Sequence, residues 1–230
     1  MRAVLFDAVG TLIRPEPSVG VAYAAAAARQ GINLPADEVQ ARFRKAFAAE
    51  EFADRHSGQG RTSHEREVQR WRCIVAAVFP GARDPEALFA DLWDHFADAA
   101  NWRLFADVPP VLARLRAEVD WVGVASNFDQ RLHAICQHIP PLSQLAPVIV
   151  SAEVGWRKPC QQFFAAAAAA LSVAPSEILL VGDDLENDYR AAVAAGWQAV
   201  WLDRQPGTQP LREPPALADR AITQLSELRW

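Results

Sequence analysis

Ala3-Val4-Leu5-Phe6-Asp7-Ala8-Val9-Gly10-Thr11 begins with four apolar residues in a row, meets a carboxylate, and turns at Gly10-Thr11. An apolar run without polar alternation is the signature of a strand buried on both faces, as in a parallel sheet. Similar runs return later in the chain, at Trp121–Ala125, Val148–Val150, Ile178–Val181 and Ala199–Trp201. Helical stretches separate them. Pro109-Pro110 opens one that runs to Ala117, a second spans Gln130 to His138, a third runs from Pro159 through the polyalanine tract to Leu171, and a fourth covers 186–195. Repeated strand–helix units of this kind specify an α/β protein.

Between the first run and the others the texture changes. Four helical stretches lie near 18–30, 36–54, 63–79 and 85–100, broken at Gly31, at Ser57-Gly58-Gln59-Gly60 and at Pro80-Gly81, with no strand-like run among them. The expected organisation is a doubly wound, Rossmann-like parallel-sheet core made from residues 1–14 and 101–230, with a helical-bundle cap inserted over 15–100. Hinges are expected near Arg14-Pro15 and Ala100-Asn101, and the Pro-rich segment 206–215 reads as a surface loop before a short terminal element.

Composition narrows the function. The chain has 230 residues, 51% of them hydrophobic and 22% charged, enough to bury one core with a sizeable insertion without disulfide staples. A net charge of −5 without a basic stripe argues against nucleic acid as a partner. Arg42, Arg44 and Lys45, followed closely by Glu50, Glu51 and Asp54, read as a solvated helix face. The three cysteines, Cys73, Cys136 and Cys160, have no metal-ligand spacing and read as reduced thiols. The N-terminus reaches Asp7 before any signal-type apolar stretch, and the longest apolar tract, Phe163 to Leu171, is about half a membrane span. A cytoplasmic protein without a membrane partner is expected.

Polar residues gather where the strands end: Asp7 after the first, Ser126-Asn127 after the second, Asp183-Asp184 after the fourth. In an open parallel sheet that edge is the ligand-binding crevice. Lys158, just before Pro159, falls at the start of a helix, where backbone N–H groups favour an anion. Carboxylates, a lysine, a hydroxyl and a helix N-terminus together describe a site for Mg2+ and phosphate.

Phe-Asp7-Ala-Val-Gly-Thr11-Leu, Val-Ala-Ser126-Asn127, Gly-Trp-Arg-Lys158-Pro and Val-Gly-Asp183-Asp-Leu-Glu-Asn-Asp188 resemble, in order, the four motifs of the haloacid dehalogenase (HAD) superfamily. Ala-Ser-Asn-Phe-Asp-Gln-Arg-Leu further resembles a branch of small HAD-like hydrolases with this type of cap. The resemblance implies a phosphatase acting on a small phosphorylated metabolite. Asp7 would be the nucleophile that forms an aspartyl phosphate. Ser126 would bind a phosphoryl oxygen with Asn127 beside it, and Lys158 would balance the charge of nucleophile and phosphate. Asp183 would hold Mg2+ with Asp7 and the backbone carbonyl of Val9, while Asp184 and Asp188 would support or ligate the metal.

Val9 departs from the pattern, because phosphatases of this superfamily carry a second aspartate there, as general acid and base. Valine can do neither, and the loss weighs most on alkyl phosphates, whose alkoxides leave badly unprotonated. His56, His64 and Glu65, flanking the Gly-rich turn, are candidate substitutes, and Arg61, His64 and Arg66 are candidate substrate contacts. Two other readings stay open: a 2-haloacid dehalogenase, which in this superfamily also lacks the second aspartate but works without Mg2+, and a catalytically weakened binding or regulatory protein. Phosphonate cleavage would need a Schiff-base lysine on the cap, where only Lys45 is found. Trp71, Trp93 and Trp102 are expected as buried anchors of the cap or its junction, with an aromatic substrate pocket as the alternative. No motif names the substrate or the oligomeric state.

Overall fold

The computed structural model of the chain describes residues 1–56, 59–204 and 220–230. Ser57-Gly58 and the proposed 206–215 loop therefore lie outside the described residues. The strand β1 (Ala3–Phe6) is followed by β2 (Ile13–Pro15), then by α1 (Val19–Ala28), α2 (Ala36–His56), α3 (His64–Val78) and α4 (Pro85–His95), and then by β3 (Trp102–Leu104). The second half runs α5 (Val108–Leu115), β4 (Trp121–Ser126), α6 (Arg131–His138), β5 (Val148–Val150), α7 (Ser151–Val154), α8 (Gln161–Leu171), β6 (Ile178–Gly182), α9 (Ala191–Ala194), β7 (Gln198–Leu202) and β8 (Ala221–Ile222).

Six strands form one sheet in the order β5-β4-β1-β6-β7-β8, with every pair parallel. β1 is central, and its unbroken apolar run has the predicted cause. Val4 and Phe6 face one core shared with Leu112 and Leu115 of α5 and Ile135 of α6, while Ala3 and Leu5 face a second core shared with Phe163, Phe164 and Ala167 of α8. β6 divides in the same way, with Leu179 and Val181 on the first face and Leu180 on the second. The sheet is thus sandwiched between two helical layers, and polar chemistry is left only at its ends.

The helices α1 to α4 enclose a third apolar core around Tyr23, Val39, Ile74, Val78, Leu88 and Leu92. Local signals start two of them: the Ser63 side chain accepts from the Arg66 N–H at the head of α3, and Asp84 accepts from the Ala87 N–H at the head of α4, with Pro85 in the first turn. The last expected helix stops early, at His95, and residues 99–101 form a single 3₁₀ turn.

Where the insertion joins the core, β2 and β3 pair antiparallel, Ile13 opposite Leu104, and the Glu16 N–H donates to the Asn101 carbonyl at 2.8 Å. The two linkers are therefore bound to each other as a ribbon.

Candidate active site

The central strands β4, β1 and β6 end side by side, and their last residues deliver Ser126, Asp7 and Asp183 to one edge. Asp7 is buried, and its N–H extends the ladder to the Val181 carbonyl at 2.9 Å. Its Oδ1 accepts from Lys158 Nζ at 2.8 Å. The other two donor positions of that ammonium go to the Ala125 carbonyl at 2.8 Å and to Asp188 Oδ1 at 2.5 Å, so a fully buried lysine has three partners. Burial opposes its charge, but Asp188 and Asp7 outweigh that and raise its pKa.

Lys158 precedes α8 by three residues instead of starting it. What fixes it is Asn127: its Oδ1 accepts from the Lys158 N–H at 2.7 Å and its Nδ2 donates to the Lys158 carbonyl at 2.9 Å. Asn127 thus spends its amide on the Lys158 main chain, while Ser126 lines the same cavity as Asp7.

Asp183 is half-buried, and its Oδ1 accepts from the Thr11 hydroxyl at 3.0 Å. Gly10 makes this approach possible. It has φ of +88°, and a Cβ there would lie 2.3 Å from Asp183 Oδ2. Asp188 sits on a π-helical turn, Leu185–Arg190, that leads into α9, where the sequence predicted a plain helix. Its Oδ2 accepts from the Asp184 N–H at 3.0 Å, and a Cβ on Gly182 would stand 2.2 Å from that oxygen. Asp184 is engaged differently. Its carboxylate accepts from the N–H groups of Glu186 and Asn187, each at 2.9 Å, and from Asn187 Nδ2 at 2.8 Å, which makes it the cap of that turn.

Asp7, Asp183 and Asp188 bring carboxylate oxygens within 4.8 Å of one another. Burial first, then Asp7 and Asp188, push the Asp183 carboxyl up to about 8. Burial also pushes Asp188 up, to about 7, with Lys158 pulling the other way. Hard oxygen ligands crowded to the point of mutual repulsion suit a divalent cation such as Mg2+. Without a cation, burial and the neighbouring carboxylates make the folded chain hold the Asp183 proton well above the usual carboxylate range, in which the unfolded carboxyl releases it. The fold then binds more protons than the unfolded chain, and stability falls as pH rises across that window. The thermal shift produced by Mg2+ is accordingly expected to be small at pH 5 and to grow toward pH 8, by about 2–4 °C per kcal/mol of relief. Asp183→Asn should raise the Tm of the metal-free protein at pH 8 and remove the Mg2+ increment, read by differential scanning fluorimetry.

A cavity of about 600 Å3 holds these groups, lined by Asp7, Val9, Ser126, Lys158 and Asp183 from the core and by Phe47, Arg55, His56 and Trp71 from the insertion. Arg55 reaches across to donate to Asn187 Oδ1 at 3.1 Å. Of the proposed substitute acids only His56 lines this cavity, its ring stacked on Phe52 and Nδ1 2.9 Å from the Phe52 carbonyl. His64 packs edge-on to Trp93, and Glu65 accepts from the Ser63 hydroxyl at 2.8 Å. Arg61 lies over Trp156 at 4.6 Å and Arg66 is bound to Glu50 and Asp54, and neither lines this cavity. Lys45 is exposed on α2.

Sequence reasoning missed Arg157. This core residue is buried, and its guanidinium donates to Glu67 and, at 2.9 Å, to Glu51, both in the insertion. Arg70 adds bonds to Asp54 at 2.9 Å and Glu51 at 2.5 Å, and the Thr62 hydroxyl adds one to Glu67 at 2.7 Å. The helix face read as solvated is therefore half right. Arg44 and Lys45 are exposed, but Asp54 is buried because Arg66 and Arg70 enclose it. Backbone bonds run beside this network, from the Arg157 N–H to Gly60 and from the Thr62 N–H to Gly155.

Among the described residues no helix is long and apolar enough to cross a membrane. Comparison with known proteins agrees with the motif reading. Over 226 residues the chain is 29% identical to haloacid dehalogenase-like hydrolase domain-containing protein 3 of Bos taurus, covering 95% of this chain and 86% of that one. It is also 29% identical over 227 residues to a ribulose-1,5-bisphosphate 5-phosphatase of Halopiger xanaduensis, covering 96% and 91%. The solved structure of a defluorinating L-2-haloacid dehalogenase, 22% identical, superposes with a TM-score of 0.76 over 98% of this chain and 92% of that one, and speaks to the fold. The family model for haloacid dehalogenase-like hydrolases matches residues 1–196. A parallel sheet that presents Asp7, Ser126, Lys158 and Asp183 at one edge, and a family match over most of its length, make this chain a member of the haloacid dehalogenase-like hydrolases.

Proposed function

We propose that the protein is a Mg2+-dependent phosphatase that hydrolyses a small phosphorylated metabolite through an aspartyl phosphate on Asp7. The observation that carries this reading is the buried Lys158 ammonium, shared between Asp7 and Asp188 beside a third carboxylate, Asp183. Lys158 balances a nucleophile and a phosphoryl group on one side, and the acids hold a cation on the other. Asp7, Asp183 and the Val9 carbonyl would hold Mg2+, with Asp188 as support or further ligand. The cation supplies charge neutralisation between the carboxylate nucleophile and the phosphate dianion.

An Asp7 oxygen attacks phosphorus, the ester P–O bond breaks, and the alcohol oxygen leaves with the electron pair. Water then attacks phosphorus and the P–O bond to Asp7 breaks, releasing orthophosphate and restoring the carboxylate. The water's protons finish on phosphate and on the alcohol. Ser126 binds a phosphoryl oxygen, and Asn127 acts by fixing Lys158. In this reading residues 15–100 are the cap and 1–14 with 101–230 the core, and cap closure excludes water from the site. The relative named as a ribulose-1,5-bisphosphate 5-phosphatase supports phosphate ester chemistry. The dehalogenase reading fits less well, because Asp7, Asp183 and Asp188 gather a hard-oxygen set that suits a divalent cation, for which dehalogenation has no use.

The test is p-nitrophenyl phosphate hydrolysis with and without Mg2+, since a good leaving group removes most of the need for an acid at position 9. Mg2+-dependent turnover is expected, and its absence in wild type and Val9→Asp alike would overturn the phosphatase reading. Val9→Asp is expected to raise turnover of alkyl phosphates by about 10²-fold or more, the usual worth of general acid–base help. Activity only in Val9→Asp would assign the wild-type chain a binding role.

A further inference from the structure

A second cavity, of about 260 Å3, adjoins the site beneath the insertion. Its walls come from all four inserted helices and include Tyr23, Phe43, Phe47, Trp71, Phe89 and Trp93. It meets the site cavity at a shared border of Val9, Phe47, Trp71, Asn127 and Phe128. Of the polar groups on its surface, Arg131 and Asn127 are engaged and the Trp102 indole N–H donates to the Phe96 carbonyl, while among the described residues the Tyr23 hydroxyl and the Trp71 and Trp93 indole N–H groups make no hydrogen bond. Arg131 donates to both oxygens of Asp129 and to the Trp93 carbonyl, with its guanidinium 3.4 Å from the Trp93 ring centre, and Asn127 is held by Lys158. A sugar or polyol placed here would bury more hydroxyls than these few groups can partner, whereas a planar ring would gain contact with aromatic walls from all four helices.

The missing acid gives a second, separate argument. An aryl oxide is the conjugate base of a phenol with pKa about 10, against about 15.7 for water, so it leaves without a proton. Val9 stands on the border between the two cavities, where it offers an apolar wall in place of a proton.

We propose that the substrate is the phosphate monoester of an aromatic alcohol of one or two rings, with the ring in this chamber and the ester oxygen above Val9. The proposal rests on the phosphatase reading and deepens it. An engineered apolar cavity of about 150 Å3 takes benzene, so a chamber of this size has room for a fused second ring. The reaction is the one written above, with the P–O(aryl) bond breaking and the aryl oxide taking its proton later from solvent.

The experiment compares kcat/KM for acetyl, phenyl and 1-naphthyl phosphate in wild type, Val19→Trp and Phe89→Ala. Val19 and Phe89 line the chamber but not the site cavity. The phenyl and naphthyl leaving groups are close in acidity, so a difference between them reports the second ring. Wild type is expected to favour the naphthyl ester by about tenfold or more, from the extra apolar area buried. Val19→Trp, which fills the chamber, and Phe89→Ala, which removes a wall, should each lose that preference while keeping turnover of acetyl phosphate. Equal or poorer use of the naphthyl ester, with acetyl phosphate still turned over, would overturn the proposal and leave the phosphatase reading standing. If no phosphate is hydrolysed, the phosphatase reading fails, and binding of 1-naphthol alone decides about the chamber. Quenching of tryptophan fluorescence in wild type that is lost in Val19→Trp keeps the ring site, and no quenching in wild type removes it.

Discussion

Asp7→Asn is expected to lower phosphate ester hydrolysis by roughly 10⁴-fold or more, the scale on which enzymes lose a covalent nucleophile. Its fold should survive. Lys158 loses one ionic partner but keeps Asp188 and the Ala125 carbonyl, while Asp183 loses a like-charged neighbour, so the two effects on stability oppose each other. Far-UV circular dichroism and Tm close to wild type, with turnover gone, is therefore the expected pattern. The covalent step has its own readout. Acid-quenched wild type turning over p-nitrophenyl phosphate should carry a phosphoryl group on the peptide containing Asp7, detected by mass, and Asp7→Asn should carry none. Turnover that persists in Asp7→Asn would place the nucleophile on water or another side chain and overturn the aspartyl-phosphate route.

The core was legible because its strands are buried on both faces. Continuous apolar runs are what such burial demands, and each run ends at an abrupt polar residue where the sheet edge meets the crevice. The ribbon of β2 and β3 was not legible. Each strand is three residues long, β2 ends in a proline, and neither has meaning without a partner on the far side of the insertion. The same limit hid Arg157. Glu51, Asp54, Glu67 and Arg70 have the spacing of a solvated helix face, and only the fold brings a core arginine against them. Asp184 and Asp188 show the reverse case. Both were visible as acids near Asp183, but which one caps a turn and which one meets Lys158 depends on the π-helical turn, for which the sequence carries no separate signal. The apolar chamber was equally hidden as a whole, because its aromatic walls are scattered over four helices and only packing assembles them.

Arg157→Ala is expected to cost about 3–5 kcal/mol, the usual penalty for removing one partner of a buried ion pair, and to lower Tm by roughly 10 °C. The reason is what remains. Glu67 is 2% exposed, and without Arg157 its carboxylate keeps, among the described residues, a single hydrogen bond from the Thr62 hydroxyl, while Glu51 falls back on Arg70. Urea denaturation measures the loss, and two further variants identify its cause. Glu67→Gln in the Arg157→Ala background removes the stranded charge and should recover part of the stability. Arg29→Ala, which removes an exposed pair with Asp91, should cost less than about 1 kcal/mol. Because Arg157 immediately precedes Lys158, and its N–H is bound to Gly60 of the insertion, the same substitution should also weaken the hold of the insertion over the site. Faster amide exchange in the segment 60–67 than in β1 and β6 would report that loosening. A loss for Arg157→Ala no larger than that for Arg29→Ala would mean that these charges are solvated in solution. The insertion would then spend most of its time lifted from the core, and closure would have to be driven by the substrate instead of by the ionic seam.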